Sequence, residues 1–225
     1  MYTESDINNI NQKYLQKGCH DIRNIISIIN GNYQLVELLH NELSSDPRWM
    51  QLGNDITYLI HTMNSIGSFR HASTIYPKDC SLSEFLKDFI AGLSANPVYT
   101  SLDININISS DMAHAVIDTD KINYVLYSLI DNIADINPCS SLSITAYSDD
   151  ACSYIHISDN HQGLSSEIAA ELFEPFNTNK SGHPGLSLAT SYRILLAHNG
   201  QLAYSGNSQN GSTFTLILPV PDNTI

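Results

Sequence analysis

The sequence is poor in basic residues and lacks the signals of secretion or membrane insertion. Only 10 of its 225 residues are lysine or arginine, against 23 acidic residues, so the net charge is −13. This balance argues against a nucleic-acid partner, because phosphate backbones require clustered cations. No segment approaches the roughly 20 apolar residues that cross a bilayer, and residues 1–18 contain no apolar signal core. We therefore expect a cytoplasmic protein with no membrane contact, and Met1 favours a complete product.

Cysteine is scarce and shows no pairing pattern. The four cysteines have no CxxC spacing and no surrounding metal-ligand cluster, which is typical of free thiols in a reducing compartment. Hydrophobic residues make up 42% of the chain, enough for a packed core in one large or two small domains. The cysteines are Cys19, Cys80, Cys139 and Cys152.

The first 72 residues predict a helical hairpin. Apolar side chains recur at helical spacing over residues 4–44, and a polar stripe that includes His20 and Asn24 follows the opposite side. Asp46-Pro47 interrupts the pattern, and a second amphipathic helix is predicted over 48–70. Two antiparallel helices cannot bury both apolar faces alone, so we expect a homodimer with a four-helix bundle. The apolar stripe is Leu15, Ile22, Ile26, Ile29, Tyr33 and Val36, and the polar stripe is Lys13, His20, Asn24, Ser27 and Gly31.

Residues 73–225 predict a second domain with mixed secondary structure. After a linker at 73–80, Ser81 and Glu84 form a candidate capping box for a helix that ends near Leu93. Alternating residues predict strands at 102–109, 113–118, 141–149, 152–159, 202–206 and 212–220, and helical periodicity predicts helices at 120–136 and 185–199. The fold class is therefore α+β, a helical hairpin followed by an α/β sandwich with helices on one face of a mixed sheet. This half carries 5 basic and 16 acidic residues, a net −11, against −2 for the hairpin.

Six stretches, in order, resemble the core of a two-component histidine kinase. HDIRN (20–24) is similar to the H-box, and DTDKINYVLYSLIDNIADI (118–136) to the N-box. DNHQGL (159–164) resembles the first glycine box, LFEPFNTNK (172–180) the phenylalanine box before the ATP lid, and GHPGLSLATSYRILLAHNG (182–200) the second glycine box with its helix. GSTFTLILP (211–219) resembles the last hairpin strand. The resemblance covers nearly the whole chain and implies a GHKL-type, Bergerat ATP-binding domain behind a phosphoacceptor hairpin.

The resemblance assigns the phosphoacceptor role to His20. A neutral imidazole nitrogen is a workable nucleophile near neutral pH, so His20 would attack the γ-phosphate of ATP and pass the phosphoryl group to a response-regulator receiver domain. Asp21 would hold the ring tautomer, Asn24 would orient the phosphoryl group, and Arg23 would steady its charge. A surface histidine on a polar helix face is the ordinary alternative.

The resemblance also assigns a nucleotide site with ATP and Mg²⁺ as cofactors. Asn132 would hold the Mg²⁺ that bridges the phosphates, and Asp159 would accept a hydrogen bond from the adenine amino group. Gly163 and Gly185 would let the backbone approach the ligand without a Cβ. Lys180 would reach the phosphates from the lid.

Several positions depart from the family pattern and leave three hypotheses open. His161 replaces a glycine of the first box, and His183-Pro184 precede the one matched glycine of the second. Ser128 stands where an asparagine is usual, and Asp135 where a cation is usual; an acid there would repel phosphate. The first hypothesis is a working ATP-dependent kinase. The second is a histidine phosphotransferase whose ATPase-like domain binds no nucleotide, and the third is a non-catalytic dimer that sequesters a regulator.

Overall fold

The structure, a computed structural model, describes residues 4–136, 141–160, 163–178, 180, 182–207 and 211–221. Cys139 and His161 lie outside these residues, as do the side chains of Lys13 and Asp135. The chain divides into two compact units. One is Met1–Gly67 with Thr178–Pro184, and the other is Ser68–Asn177 with Gly185–Ile225. The predicted domain assignment, 1–72 and 73–225, stays a prediction, because compactness does not test which segment carries which function.

The first unit contains a helical hairpin, as predicted. Helix α1 spans Glu4–Leu39, a short 3-10 helix spans Asn41–Ser45, and helix α2 spans Pro47–Arg70. The predicted extension of the first helix to residue 44 is wrong, because His40 leaves helical geometry at φ −133° and the backbone tightens into the 3-10 turn. Helix α2 begins where the sequence indicates: the carboxylate of Asp46 accepts from the backbone N–H groups of Arg48 (2.8 Å) and Trp49 (3.1 Å).

The hairpin buries only part of its apolar surface within one chain. Ile26, Ile56 and Met63 are buried, and the Tyr33 ring stacks on Trp49 with centroids 4.5 Å apart. By contrast Leu15, Ile22 and Ile29 remain 65%, 48% and 45% exposed. With Val36 also exposed, four of the six residues of the predicted apolar stripe are therefore uncovered. Among the residues that the structure describes, no helix is long and apolar enough to span a membrane.

The second unit is built on a five-stranded mixed sheet with the order β2-β4-β5-β7-β6. Strand β2 pairs with β4 in parallel, and the other neighbours are antiparallel. A separate antiparallel pair joins β1 to β3. The strands are β1 Lys78–Ser81, β2 Asp103–Ile108, β3 His114–Ile117, β4 Ser141–Ser148, β5 Cys152–Asp159, β6 Gln201–Asn207 and β7 Gly211–Pro219.

Helices and the inward sheet residues form one hydrophobic core. Helix α4 supplies Ile122, Leu126 and Leu129, all 0% exposed, against Leu142 of β4 and Ile155 of β5. This layered α+β arrangement confirms the predicted fold class of the second half. The remaining helices are α3 Leu82–Ala95, a 3-10 turn Pro97–Tyr99, α4 Thr119–Ile136, α5 Ser166–Ala170 and α6 Ser187–Ala197.

Three local predictions are wrong. The hydroxyl of Ser81 caps no N–H of α3 and lies 3.4 Å from the Ser83 hydroxyl instead, so the capping box does not form. The predicted linker at 73–80 includes most of β1, which pairs with β3. The alternation of residues 102–109 predicts that Ile106 faces inward, but Ile106 is 42% exposed on β2, which lies at the edge of the sheet.

Candidate functional site

His20 projects from the middle of α1 into solvent. Its side chain is 68% exposed, and that of Asp21 is 58% exposed. The Nδ1 atom lies 3.2 Å from Asn24 Nδ2, one helical turn on, and 3.6 Å from Asp21 Oδ1. No described residue forms a hydrogen bond to Nε2. The spacing i to i+4 places Asn24 beside His20 on one helix face, so this face presents an imidazole held at Nδ1 and open at Nε2.

Arg23 points away from that face. Its guanidinium Nη2 donates to the carbonyl of Met63 on α2 at 3.3 Å, and the space beside Gly67 accommodates it, since a Cβ there would lie 2.9 Å from Nη2. The expectation that Arg23 steadies charge at His20 finds no support in this geometry. Arg23 instead fixes α1 against α2.

Asn132 lies next to the first turn of α6. Its Nδ2 donates to the carbonyl of Ser128 at 2.7 Å and approaches the Ser187 hydroxyl at 3.5 Å. The residue before this helix is Leu186, whose apolar side chain makes no capping hydrogen bond, and the N-terminus of a helix attracts an anionic acceptor. One turn before Asn132, the Ser128 hydroxyl is buried without a hydrogen-bond partner. Where α4 packs against α6, burial raises the pKa of Tyr124, and a hydrogen bond with Thr190 opposes that rise.

Asp159 ends β5 beside the start of β7. Its Oδ1 accepts from the backbone N–H of Ser212 at 3.4 Å. Gly211 adopts φ +79°, and a Cβ there would lie 2.1 Å from the Asp159 carbonyl oxygen, so only glycine fits. Asp159 as a whole is half-buried. The strand pairing thus places this acid where two strands meet at one end of the sheet.

Gly163 is buried, four residues after Asp159. Beside it, the backbone N–H of Leu164 donates to the Tyr204 hydroxyl at 2.8 Å. That hydroxyl also lies 3.2 Å from the hydroxyl of Ser212, whose N–H reaches Asp159. Asp159 and Gly163 therefore belong to one polar network on the second unit. Sequence reasoning did not find Tyr204 or Ser212, because strand alternation alone gave them no distinguishing signal.

The backbone at Gly185 is closely approached, as the resemblance implies, but by the protein's own backbone at Phe176 and Asn177. It adopts φ +66°, and a Cβ would lie 2.9 Å from the backbone carbon of Phe176. The Phe176 N–H donates to the Gly185 carbonyl at 2.9 Å. Phe176 is itself at φ +64°, a strained conformation for an aromatic residue. Gly185 thus closes the loop that begins at the phenylalanine box.

Lys180 belongs to Thr178–Pro184, which clusters with the first unit. Its backbone N–H donates to the Thr178 hydroxyl at 3.1 Å, and its carbonyl accepts from His183 at 3.4 Å. The structure therefore brings Asp159 and Gly163 together and places Asn132 and Gly185 in the same unit. It does not test the predicted reach of Lys180 to phosphate.

The donor set of the second unit fits a magnesium nucleotide in part. The Asn132 amide oxygen is a hard ligand of the type that Mg²⁺ accepts, and the N-terminus of α6 suits a phosphate. The usual second asparagine is replaced by Ser128, whose hydroxyl is buried. Within the described part of the chain, no cluster of three His, Cys, Asp or Glu side chains could hold a metal ion. A bound metal would therefore rely on the nucleotide phosphates for most of its ligands.

Comparison with known proteins gives the same architecture. Residues 117–222 match the family described as histidine kinase-, DNA gyrase B- and HSP90-like ATPase. The signal transduction histidine-protein kinase AtoS of Escherichia coli (strain K12) is 25% identical over 210 residues, which are 89% of this chain and 33% of AtoS. Sporulation kinase E of Bacillus subtilis (strain 168) is 23% identical over 91% of this chain and 28% of its own length. This chain therefore spans about a third of these relatives.

Two solved structures share the fold over most of the chain. Full-length ShkA in complex with AMPPNP superposes with a TM-score of 0.73 at 20% identity, covering 92% of this chain and 45% of ShkA. Histidine kinase ThkA in complex with the response regulator protein TrrA gives a TM-score of 0.64 at 18% identity, covering 98% of this chain and 65% of ThkA.

A helical hairpin is thus followed in the chain by a region, residues 117–222, that is similar to ATPase domains of the histidine kinase, gyrase B and HSP90 type. Over most of its length the chain is similar to histidine kinases, and its motifs follow the order expected for the core of a two-component histidine kinase.

Proposed function

We propose that this core phosphorylates His20 from ATP and then transfers the phosphoryl group to a receiver-domain aspartate. The observation that carries the proposal is the His20 ring itself, exposed, engaged at Nδ1 and open at Nε2. With the Nδ1 proton donated to an oxygen of Asn24 or Asp21, Nε2 keeps its lone pair. Since an amide can be rotated to present either atom, Asn24 can serve as the acceptor.

The chemistry follows from that tautomer. Nε2 attacks the γ-phosphorus, the bond between that phosphorus and the β–γ bridging oxygen breaks, and ADP leaves. The imidazolium that forms keeps the Nδ1 proton, which the neighbouring Asp21 carboxylate stabilises. Mg²⁺, when bound with ATP, would neutralise charge on the phosphates. Asn132 would ligate it, the first turn of α6 would receive phosphate oxygens, and Asp159 would accept from the adenine amino group.

The transfer partner is proposed to be a receiver domain. Support comes from the shared fold with ThkA, which was solved with a response regulator, and from the exposure of His20. We also propose that the chain is a homodimer. The uncovered side chains of Leu15, Ile22 and Ile29 repeat every seven residues along α1, a spacing suited to a helix bundle.

The test of the kinase function pairs two histidine variants. The protein is incubated with γ-labelled ATP and Mg²⁺, and acid-labile label on the chain is measured. His20→Ala should abolish labelling. His40→Ala should retain it, although His40 is also exposed on the hairpin and also has an acidic neighbour, Glu42, at 3.2 Å. Equal labelling of His20→Ala and the wild type would exclude His20 as the acceptor.

A histidine phosphotransferase remains the second candidate, favoured by Ser128 in the N-box. The Ser128 hydroxyl is buried and has no hydrogen-bond partner. An asparagine at this position would supply an additional ligand for the metal. Calorimetry with Mg²⁺-ATP separates the two functions: heat of binding favours the kinase. Absence of binding, together with label passing from a phosphorylated receiver to His20, would favour the phosphotransferase. If His20 accepts label from neither source, regulator sequestration is the remaining hypothesis.

The homodimer is tested by light scattering after size-exclusion chromatography. Ile29→Glu places a charge on the uncovered apolar stripe and should give a monomer. Ser27→Glu places the same charge on the polar stripe and should leave the dimer intact. A monomeric wild type, or two variants with equal mass, would contradict the bundle.

A further inference from the structure

The side chain of Tyr204 packs on the core of the second unit and reaches the polar network around Asp159. It lies on β6, half-buried, with its ring edge-on to the buried Phe214 at 5.3 Å between centroids. Its hydroxyl reaches past Gly206, where a Cβ would stand 2.7 Å from that oxygen. The absence of a side chain at Gly206 therefore leaves the room in which the Tyr204 hydroxyl sits.

The Tyr204 hydroxyl links two segments close to Asp159. One follows Asp159 in the chain, and the other is the start of β7, which pairs with the strand that Asp159 ends. The backbone N–H of Leu164, in the segment after Asp159, donates to the Tyr204 oxygen at 2.8 Å. Because the oxygen accepts there, its own proton can point to the Ser212 hydroxyl at 3.2 Å. Ser212 is 8% exposed, and its N–H in turn donates to the Asp159 carboxylate.

We propose that Tyr204 is a positioning residue for adenine recognition, which orients Asp159 and the backbone at Gly163-Leu164 through this network. The inference rests on the proposed function. It adds a residue that touches neither nucleotide nor metal and acts through Leu164 and Ser212. A phenylalanine at 204 would keep the packing on Phe214 and remove only the hydroxyl. The Leu164 N–H would then lose its acceptor, and the Ser212–Asp159 segment would lose its anchor.

The first measurement needs no nucleotide. Amide exchange at Leu164 is followed by NMR in the full chain, in the wild type, in Tyr204→Phe and in Ser212→Ala. The Leu164 amide should exchange faster in Tyr204→Phe and at the wild-type rate in Ser212→Ala, which keeps its acceptor. Equal protection in wild type and Tyr204→Phe would overturn the inference.

The second measurement separates positioning from a general loss of stability. Dissociation constants are measured by calorimetry for ATP and for purine riboside triphosphate, which lacks the 6-amino group. Tyr204→Phe should weaken ATP binding roughly five- to tenfold, the size of one lost neutral hydrogen bond. It should weaken the analogue less, so that the preference for ATP falls.

Tyr99→Phe is the matched control, because it also removes one hydrogen-bonded tyrosine hydroxyl from this unit; the Tyr99 hydroxyl donates to Asp131 at 2.6 Å. It should lower thermal stability and leave the ATP preference unchanged. Equal loss of both nucleotides in Tyr204→Phe would overturn the positioning role while leaving the proposed function in place. If the wild type binds neither nucleotide, the proposed function and the positioning role are both excluded. This outcome is distinguishable from the others because it is observed in the wild type itself and not only in Tyr204→Phe.

Discussion

The buried ring of His198 joins the end of α6 to the start of α4. Its Nε2 accepts from the backbone N–H of Asp118 at 2.9 Å, and its Nδ1 faces the carbonyl of Ile194 at 2.7 Å. A backbone N–H can only donate, so the ring is the neutral tautomer that carries its proton on Nδ1. Asp118 extends the link, since its Oδ2 accepts from the N–H of Tyr76 and its Oδ1 from that of Lys121.

Replacing His198 should therefore destabilise the second unit. His198→Ala leaves the Asp118 N–H and the Ile194 carbonyl without this ring, and we expect a loss of about 1–3 kcal/mol in the free energy of unfolding. Urea denaturation measures it. His71→Ala is the control, because that side chain is exposed and the contacts of His71 to Thr74 (3.2 Å) and Lys121 (2.9 Å) are made by its backbone carbonyl, which alanine keeps. Matching stabilities for the two variants would contradict the role given to His198.

Ser128 should behave in the opposite way from a hydrogen-bonded buried serine. Ser128→Ala removes a buried hydroxyl that has no partner, so stability should stay equal or rise. Ser153→Ala removes a buried hydroxyl 2.7 Å from that of Ser148 and should cost about 1 kcal/mol. Chemical denaturation of both variants checks the contrast, which a clear loss of stability in Ser128→Ala would refute.

The second unit should lose stability as the solution becomes mildly acidic. Burial lowers the pKa of His156, whose Nδ1 lies 2.9 Å from the Thr215 hydroxyl. Its folded pKa thus lies below the unfolded value of about 6.5. The associated stability is complete above the unfolded value and is lost as pH falls through the folded pKa. Urea denaturation across this pH range should show that the free energy of unfolding of His156→Gln depends less on pH than that of the wild type. An equal pH dependence in the two proteins would contradict the role given to His156.

Two glycines in the segment that resembles the second glycine box should respond differently to a methyl group. Both have positive φ, +79° at Gly182 and +66° at Gly185, so alanine costs about 1–2 kcal/mol of local strain at each. Only Gly185 would also collide with backbone, at Phe176 and Asn177. We expect Gly185→Ala to reduce nucleotide binding or stability more than Gly182→Ala, as measured by calorimetry and thermal melts. Equal effects would show that the loop contact at Gly185 is unimportant.

The sequence predicted elements whose causes are local and repeated. Helical periodicity located α1, α2 and α4, and the Asp46-Pro47 pair located the start of α2 correctly, because a carboxylate cap and a proline act on their immediate neighbours. The polar stripe also predicted the exposure of His20, which the structure confirms.

The errors arose where distant partners decide the outcome. Ser81 and Glu84 fit a capping box by spacing, yet the Ser81 hydroxyl turns to Ser83. Its place in the sequence puts Arg23 close to His20, whereas its guanidinium donates to the carbonyl of Met63, 40 residues away. Tyr204 gave no signal because its partner at Leu164 is also 40 residues distant. Such contacts depend on how elements pack, which spacing alone does not encode.

The last turn of α2 belongs to the second unit, and this matters for anyone dividing the molecule. Phe69 lies beneath the Arg193 guanidinium at 4.5 Å, and Ala72 is wholly inaccessible to solvent. A recombinant fragment begun at residue 73 would remove both residues from the second unit and expose the apolar surface that they cover. Beginning it at Ser68 keeps them, so the safer cleavage point for dissecting the protein falls inside a helix.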